Sequence, residues 1–155
     1  MPLDPAVLKR EFVEFEFPIE RGKIREYAKG LGLTDKVHTD VEAARAAGYV
    51  DLVAPPTFTR QFWYDTDEND PMRHLGIDVA RRLLGEYRFE YHKPVVAGMV
   101  LRCRNRIVDT KEKKGRRGGT MTFVVIETRL YDNSTGELVQ VDYRTLIETE
   151  NPPKK

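Results

Sequence analysis

The sequence predicts an α+β domain in which helices pack on one face of a curved antiparallel sheet. Three observations carry this prediction. A short apolar alternation lies near the start, helical periods follow it, and period-two alternation then dominates residues 87–148. Strand, then helices, then a run of strands segregates the helices to one side of a sheet. No internal repeat or change of composition divides the 155 residues, which are enough for one domain with a full core.

Taken in order, residues 1–10 read as a lead-in with one helical turn. Val13, Phe15, Phe17 and Ile19 alternate with their neighbours over 12–19, and Pro18 marks an edge or a strand end. Ile24, Tyr27, Ala28 and Leu31 then recur at helical spacing until Gly30 and Gly32 stop the helix. After the loop at 33–38 comes a short helix. Thr39 or Asp40 caps it, and Glu42 stands where a capping box needs it. Gly48 ends it in the left-handed conformation. Ala54, Pro55, Pro56 and Thr57 open a second helix, since proline is tolerated in a first turn. Phe58, Phe62 and Trp63 fall near one face of it, so that face is buried.

Residues 65–71 are polar and acidic. They lack the glycine and the terminal glutamate of a calcium loop, and read as solvated. Residues 73–84 form a short helix or an irregular segment. From Tyr87 onward the period is two: Tyr87, Phe89 and Tyr91, then Met99, Leu101, Cys103, Asn105 and Ile107, then 120–131 and 137–148. Asn133, Ser134, Thr135 and Gly136 make a hairpin turn. Four long strands with short links predict an antiparallel meander.

Composition narrows the function. The formal net charge is +1, against the marked basic excess of a nucleic-acid binder. Cys103 is the single cysteine, which rules out an intramolecular disulfide, argues against a cysteine-based metal site and fits a reducing cytoplasm. The first residues lack the order of a signal peptide, and no apolar run approaches the ~20 residues of a membrane span. Three scattered histidines without a helical pair argue against a metal site.

From His38 through Tyr49 the chain reads His-Thr-Asp-Val-Glu-Ala-Ala-Arg-Ala-Ala-Gly-Tyr, followed closely by Ala-Pro-Pro-Thr-Phe at 54–58. With a second block from Tyr87 to Gly98, this resembles the MaoC-like dehydratases and hydratases of hot-dog fold. The likeness is nearest to their FAS1-like, N-terminal dehydratase branch, which includes (3R)-hydroxyacyl-carrier-protein dehydratase subunits. It covers nearly the whole chain. The resemblance implies a hot-dog fold, a sheet wrapped around a helix and paired into a double hot dog by a homodimer or by a heterodimer with a hydratase-type subunit. It implies a 3-hydroxyacyl or enoyl thioester of coenzyme A or acyl-carrier-protein as substrate, and no cofactor.

One departure matters. Hydratase members carry Gly-Asp-x-Asn-Pro-x-His, and here the matching residues run from Gly32 to His38 with Leu33 in place of the aspartate and Asp35 in place of the asparagine. Half of the family's Asp–His pair is missing at its usual spacing. In related two-subunit enzymes one subunit carries the pair while the other mainly shapes the acyl site.

Dehydration of a 3-hydroxyacyl thioester needs a base, an acid and a stabiliser for charge on the thioester oxygen. A histidine with an ordinary pKa of about 6.5 suits the first role. Backbone N–H groups at a helix start suit the third. The sequence nominates His38 as base, with Asp35 or Asp40 as substitute acid, and the start at Thr57 and Phe58 for the oxygen. His38 also fits a capping or surface role. Pro56, Thr57, Phe58, Phe62 and Tyr64 are candidate substrate contacts, although an aromatic stripe at helical spacing equally describes core. Lys113, Lys114, Arg116 and Arg117, in a glycine-bearing basic loop, are candidates for phosphates of the thioester carrier or an acidic carrier face. The alternative reading is a non-catalytic acyl-thioester-binding hot-dog protein.

Overall fold

A computed structural model describes residues 5–64, 71–115 and 118–150. The acidic loop at 65–70, Arg116, Arg117 and the tail at 151–155 lie outside the described residues, as do the side chains of Phe62, Trp63 and Tyr64.

Five strands form one antiparallel sheet: β1 Phe15–Pro18, β2 Arg82–Tyr91, β3 Val100–Lys114, β4 Thr120–Asp132 and β5 Leu138–Thr149. Their order is β1-β3-β4-β5-β2, so β1 with its proline lies at one edge, as expected, and β2 at the other. Only β3, β4 and β5 form a meander. The expected continuation from β2 into β3 is corrected: β2 pairs with β5 across the sheet. The reason is the link at 92–99, which is longer than a hairpin turn and spends its backbone groups elsewhere. Ala54 N–H donates to Val95 O, Ala97 N–H to Leu52 O and Gly98 N–H to Ile19 O. The turn after β4 is the expected one, with Gly136 at φ +74° donating to Asp132 O.

Three boundaries differ from the sequence reading. β1 begins at Phe15, because Phe12 instead packs beside a second hydrophobic cluster. β2 begins at Arg82, since the bulge at Leu84/Glu86 interrupts the alternation that would have marked its start. Lys113 and Lys114 belong to β3, not to a loop, and Lys113 Nζ sits over the Phe123 ring.

Helix α1, Arg21–Gly30, buries Ile24 and Ala28, with Ile24 in the core cluster that holds Phe17 and Leu101 of the sheet. Helix α2, Val41–Ala46, is capped by Asp40, which accepts from Glu42 N–H and Ala43 N–H. Glu42 pairs with Arg45 instead of closing a capping box. Gly48 at φ +93° ends the helix as expected. A four-residue helix α3, Pro71–His74, precedes a 3-10 turn at Val79–Arg81. The segment expected as a helix from Pro56 takes the tighter 3-10 form at Phe58–Tyr64, with Phe58 N–H donating to Pro55 O. Its β-branched and aromatic residues are poor α-helix formers. Among the described residues no helix is long and apolar enough to cross a membrane.

The core has two parts. One gathers Phe17, Ile24, Ala44, Leu52, Phe58, Leu101, Cys103, Leu130 and Val139; the other gathers Leu75, Ile77, Ile107, Val124, Ile126 and Leu146. Between them the helix-facing side of the sheet carries buried polar residues. Asn105, Thr128 and Asp142 stand in register across β3, β4 and β5, and Gln140 lies in the next row beside Leu130. A polar row inside an apolar core costs stability unless every group is paired, which marks this part of the sheet as special.

Candidate functional site

The sequence nominates His38, and the structure fixes its ring. His38 ends a 3-10 turn, Lys36–His38, that Asp35 caps by accepting from Val37 N–H. The half-buried imidazole donates from Nδ1 to Val53 O at 2.7 Å, while Val53 N–H donates back to Val37 O. This bond selects the tautomer with a lone pair on Nε2, the form that can take a proton.

Among the described residues no carboxylate is hydrogen-bonded to that ring. Asp35 is spent on Val37 N–H, and Asp40 on the start of α2. Asp51 pairs with Arg21, which holds its carboxyl down at about 2, and also accepts from Leu52 N–H. Leu33, where the signature has its aspartate, is 39% exposed. Asp35 and Asp40 as substitute acids are therefore placed at caps, away from any bond to His38.

Thr57 and Pro56 lie at the mouth of the 3-10 turn. Tyr27 Oη donates to Thr57 O at 3.0 Å and shares a 2.6 Å hydrogen bond with Thr57 Oγ1. Tyr91 Oη donates to Pro56 O. Thr57 N–H has no partner among the described residues, whereas Phe58 N–H is already committed to Pro55 O. The Phe58 side chain is fully buried, stacked on Phe17 and edge-on to Tyr27, because a large ring at the centre of the helical layer gains most from the core.

A cavity of about 330 Å³ opens beside this turn. Val53, Ala54, Pro55, Pro56, Pro94 and Val95 give it apolar walls, Thr59, Gln140 and Tyr91 its polar groups, and His92 and Lys93 its exposed rim. Val53 carries the carbonyl that holds His38, so the histidine and the cavity share a wall. Behind the polar groups lies Asp142, only 4% exposed. Thr59 Oγ1 donates to Asp142 Oδ2 at 2.9 Å, and Gln140 Nε2 donates to Asp142 Oδ1 at 2.5 Å and to Thr59 Oγ1 at 2.7 Å. Burial pushes the Asp142 carboxyl up to about 6, with the two donors pulling the other way. Burial, the Asp142 charge and Tyr27 push the Tyr91 hydroxyl up as well.

The sequence reading missed Thr59, Tyr91, Gln140 and Asp142. A signal existed: Gln140, Asp142 and Arg144 are polar at alternate positions of a strand that β4 and β2 flank on both sides. Lys113 is on β3 beside Phe123, remote in the chain from the cavity lining, and Arg116 and Arg117 lie outside the described residues.

A protein-family model for the FAS1-like, dehydratase domain region matches residues 6–141. The chain belongs to the FAS1-like dehydratase domain family. A UPF0336 protein of Saccharopolyspora erythraea is 38% identical over 119 residues, covering 74% of this chain and 75% of the relative. A subunit in the crystal structure of the C-terminally truncated HadBC (3R-hydroxyacyl-ACP dehydratase) complex of Mycobacterium tuberculosis is 30% identical. It superposes with a TM-score of 0.72 over 89% of this chain and 96% of that one. A subunit of the ChsH1–ChsH2 complex of Mycobacterium tuberculosis shares the fold, with a TM-score of 0.71 at 18% identity over 94% of this chain and 84% of that one. The sheet with its helical layer is thus the hot-dog fold of this family, and the expected α+β class holds.

Proposed function

We propose that this FAS1-like dehydratase chain is the acyl-site-shaping subunit of a 3-hydroxyacyl thioester dehydratase, or enoyl hydratase, and that full activity needs a partner hot-dog subunit with an intact Asp–His pair. The observation that carries the reading is the state of His38. Its ring is tied to a backbone carbonyl, Leu33 replaces the aspartate, and Asp35, Asp40 and Asp51 are each committed to a cap or an ion pair. A leucine neither accepts nor donates a proton, and loss of one member of an acid–base pair forfeits on the order of a hundredfold in rate. The similarity to a subunit of the HadBC complex, named a 3R-hydroxyacyl-ACP dehydratase, supports a partner subunit.

In this reading the cavity holds the acyl group near its thioester end. Thr57 N–H, the donor left open among the described residues, faces the thioester oxygen, and His38 Nε2 has no acid partner among them. The partner supplies the proton transfers. The thioester is carried by coenzyme A or acyl-carrier-protein, and Lys113 and Lys114 are the described cations offered to its phosphates. Assembly as a homodimer, or a heterodimer with the hydratase-type subunit, covers the exposed edge strands.

Two measurements test this. A thermal-shift series of acyl-coenzyme A compounds should stabilise the chain, and no shift at any chain length removes the thioester reading. Light scattering should report a dimer, and a monomer alone at micromolar concentration, unchanged by a hydratase-type subunit, removes the assembly.

A further inference from the structure

The cavity's inner polar wall has all its hydrogens committed. Thr59 Oγ1 gives its hydrogen to Asp142, and Tyr91 Oη gives its own to Pro56 O. Gln140 gives both amide hydrogens, one to Asp142 and one to Thr59. The opposite amide orientation would set its oxygen against two acceptors, so the orientation is fixed by Asp142. What remains facing outward from this wall is lone pairs. Gln140 Oε1 accepts nothing from the described residues, although Gln140 is only 2% exposed. At the rim, the Lys93 ammonium is held by Glu137, and the exposed His92 ring lies outside this inner set.

We infer that this wall is a hydroxyl-selecting subsite: Gln140 Oε1 accepts the hydrogen of an acyl chain's 3-hydroxyl, and Asp142 is the positioning residue that keeps the wall an acceptor. The inference rests on the thioester reading above, which supplies the acyl chain, and adds which oxidation state of that chain the cavity takes. An alcohol brings the donor the wall lacks. A ketone at the same carbon brings another acceptor and leaves both lone pairs facing each other, a mismatch that costs far more than a missing contact. Asp142 acts through its neighbours and touches no ligand. Asp142→Asn leaves one acceptor oxygen where the carboxylate offers two, so Thr59 Oγ1 and Gln140 Nε2 no longer both find an acceptor there. The fixed orientation of the Gln140 amide is lost, and the selection weakens or runs the other way.

The test is isothermal titration of the full chain at about pH 7.5, where the carboxylate is ionised. The probes are 3-hydroxyoctanoyl-, 3-oxooctanoyl- and octanoyl-coenzyme A. The wild type should bind the 3-hydroxy compound about tenfold or more tighter than the 3-oxo compound, with octanoyl between them. Asp142→Asn should shrink or reverse that ratio, while Gln140→Met, which removes the polar atoms at similar volume, should abolish it. Circular dichroism identifies any variant that fails to fold, and the wild-type ratio decides the matter by itself. Equal binding of the three compounds overturns the subsite and leaves the thioester reading intact. A preference for the 3-oxo compound, or a uniform loss in Asp142→Asn with the ratio unchanged, also overturns it. No binding of any compound overturns the thioester reading, and the subsite with it.

Discussion

Asp142 should make the protein more stable in mild acid than at neutral pH. The perturbation is a change of pH between about 4.5 and 7, applied to the wild type and to Asp142→Asn. Burial raises this carboxyl from 3.8 to about 6 in the folded chain. The folded state therefore binds the proton more tightly than the unfolded one. Below the unfolded value both states are protonated and no penalty exists; above about 6 the folded chain bears the whole cost of a buried charge. A shift of roughly 2 units at about 1.4 kcal/mol each gives up to about 3 kcal/mol, lost as pH rises through this window. The sign is opposite to that of Asp51, held at about 2 by Arg21, and of Glu127, Asp132 and Glu137, all lowered. Those groups lose their stabilising contribution as pH falls further, so the upper window belongs to Asp142. Urea unfolding followed by circular dichroism gives the stability of both proteins at each pH. The wild-type value minus the variant value should fall by about 2–3 kcal/mol between the ends of the window. A flat difference refutes the burial argument. A difference that rises with pH means that Thr59 and Gln140 outweigh desolvation.

Further outcomes follow from single contacts. Phe58→Ala, which empties the space between Phe17 and Tyr27, should cost about 3–5 kcal/mol in chemical denaturation, and Phe58→Leu clearly less. Gly48→Ala, at φ +93°, should cost about 1–2 kcal/mol and lower the thermal midpoint. Asp40→Ala removes the cap of α2 and should cost about 1 kcal/mol, without changing the acyl-coenzyme A preference. Cys103 is fully buried and its thiol is pushed well above its ordinary value, so a thiol reagent should label it only under denaturing conditions.

What was legible in the sequence follows from local rules, and what was not follows from long-range ones. Alternation in Leu101, Cys103 and Ile107 marks a strand wherever that strand pairs, so strands were visible. Their order was not, because the pairing of β2 with β5 is decided by the distant hydrogen bonds of the 92–99 link to Leu52, Ala54 and Ile19. Gly48 and Asp40 act within their own helix and were readable. His38 was legible through its neighbours in sequence, but its partner, the Val53 carbonyl, belongs to the backbone and carries no side-chain signature. Asp142 was hidden by the phase of β5. Val141 is apolar and yet stands in register with Arg129 and Glu90, while Gln140 and Asp142 turn toward the helices. Leu146 shares the face of Asp142 and Val141 is buried on the other, so alternation alone does not single out the face that carries the cavity.

The central claim is that this chain shapes an acyl site and lacks the acid needed to use it alone. Turnover of crotonyl-coenzyme A tests it most directly, with the purified chain, its His38→Ala variant and a mixture with a hydratase-type hot-dog subunit that carries the full Asp–His signature. The expected result is negligible hydration by the chain alone, no further loss in His38→Ala, and a rate in the mixture well above that of either protein. Robust hydration by the chain alone, abolished in His38→Ala, would contradict it and make this a self-sufficient hydratase.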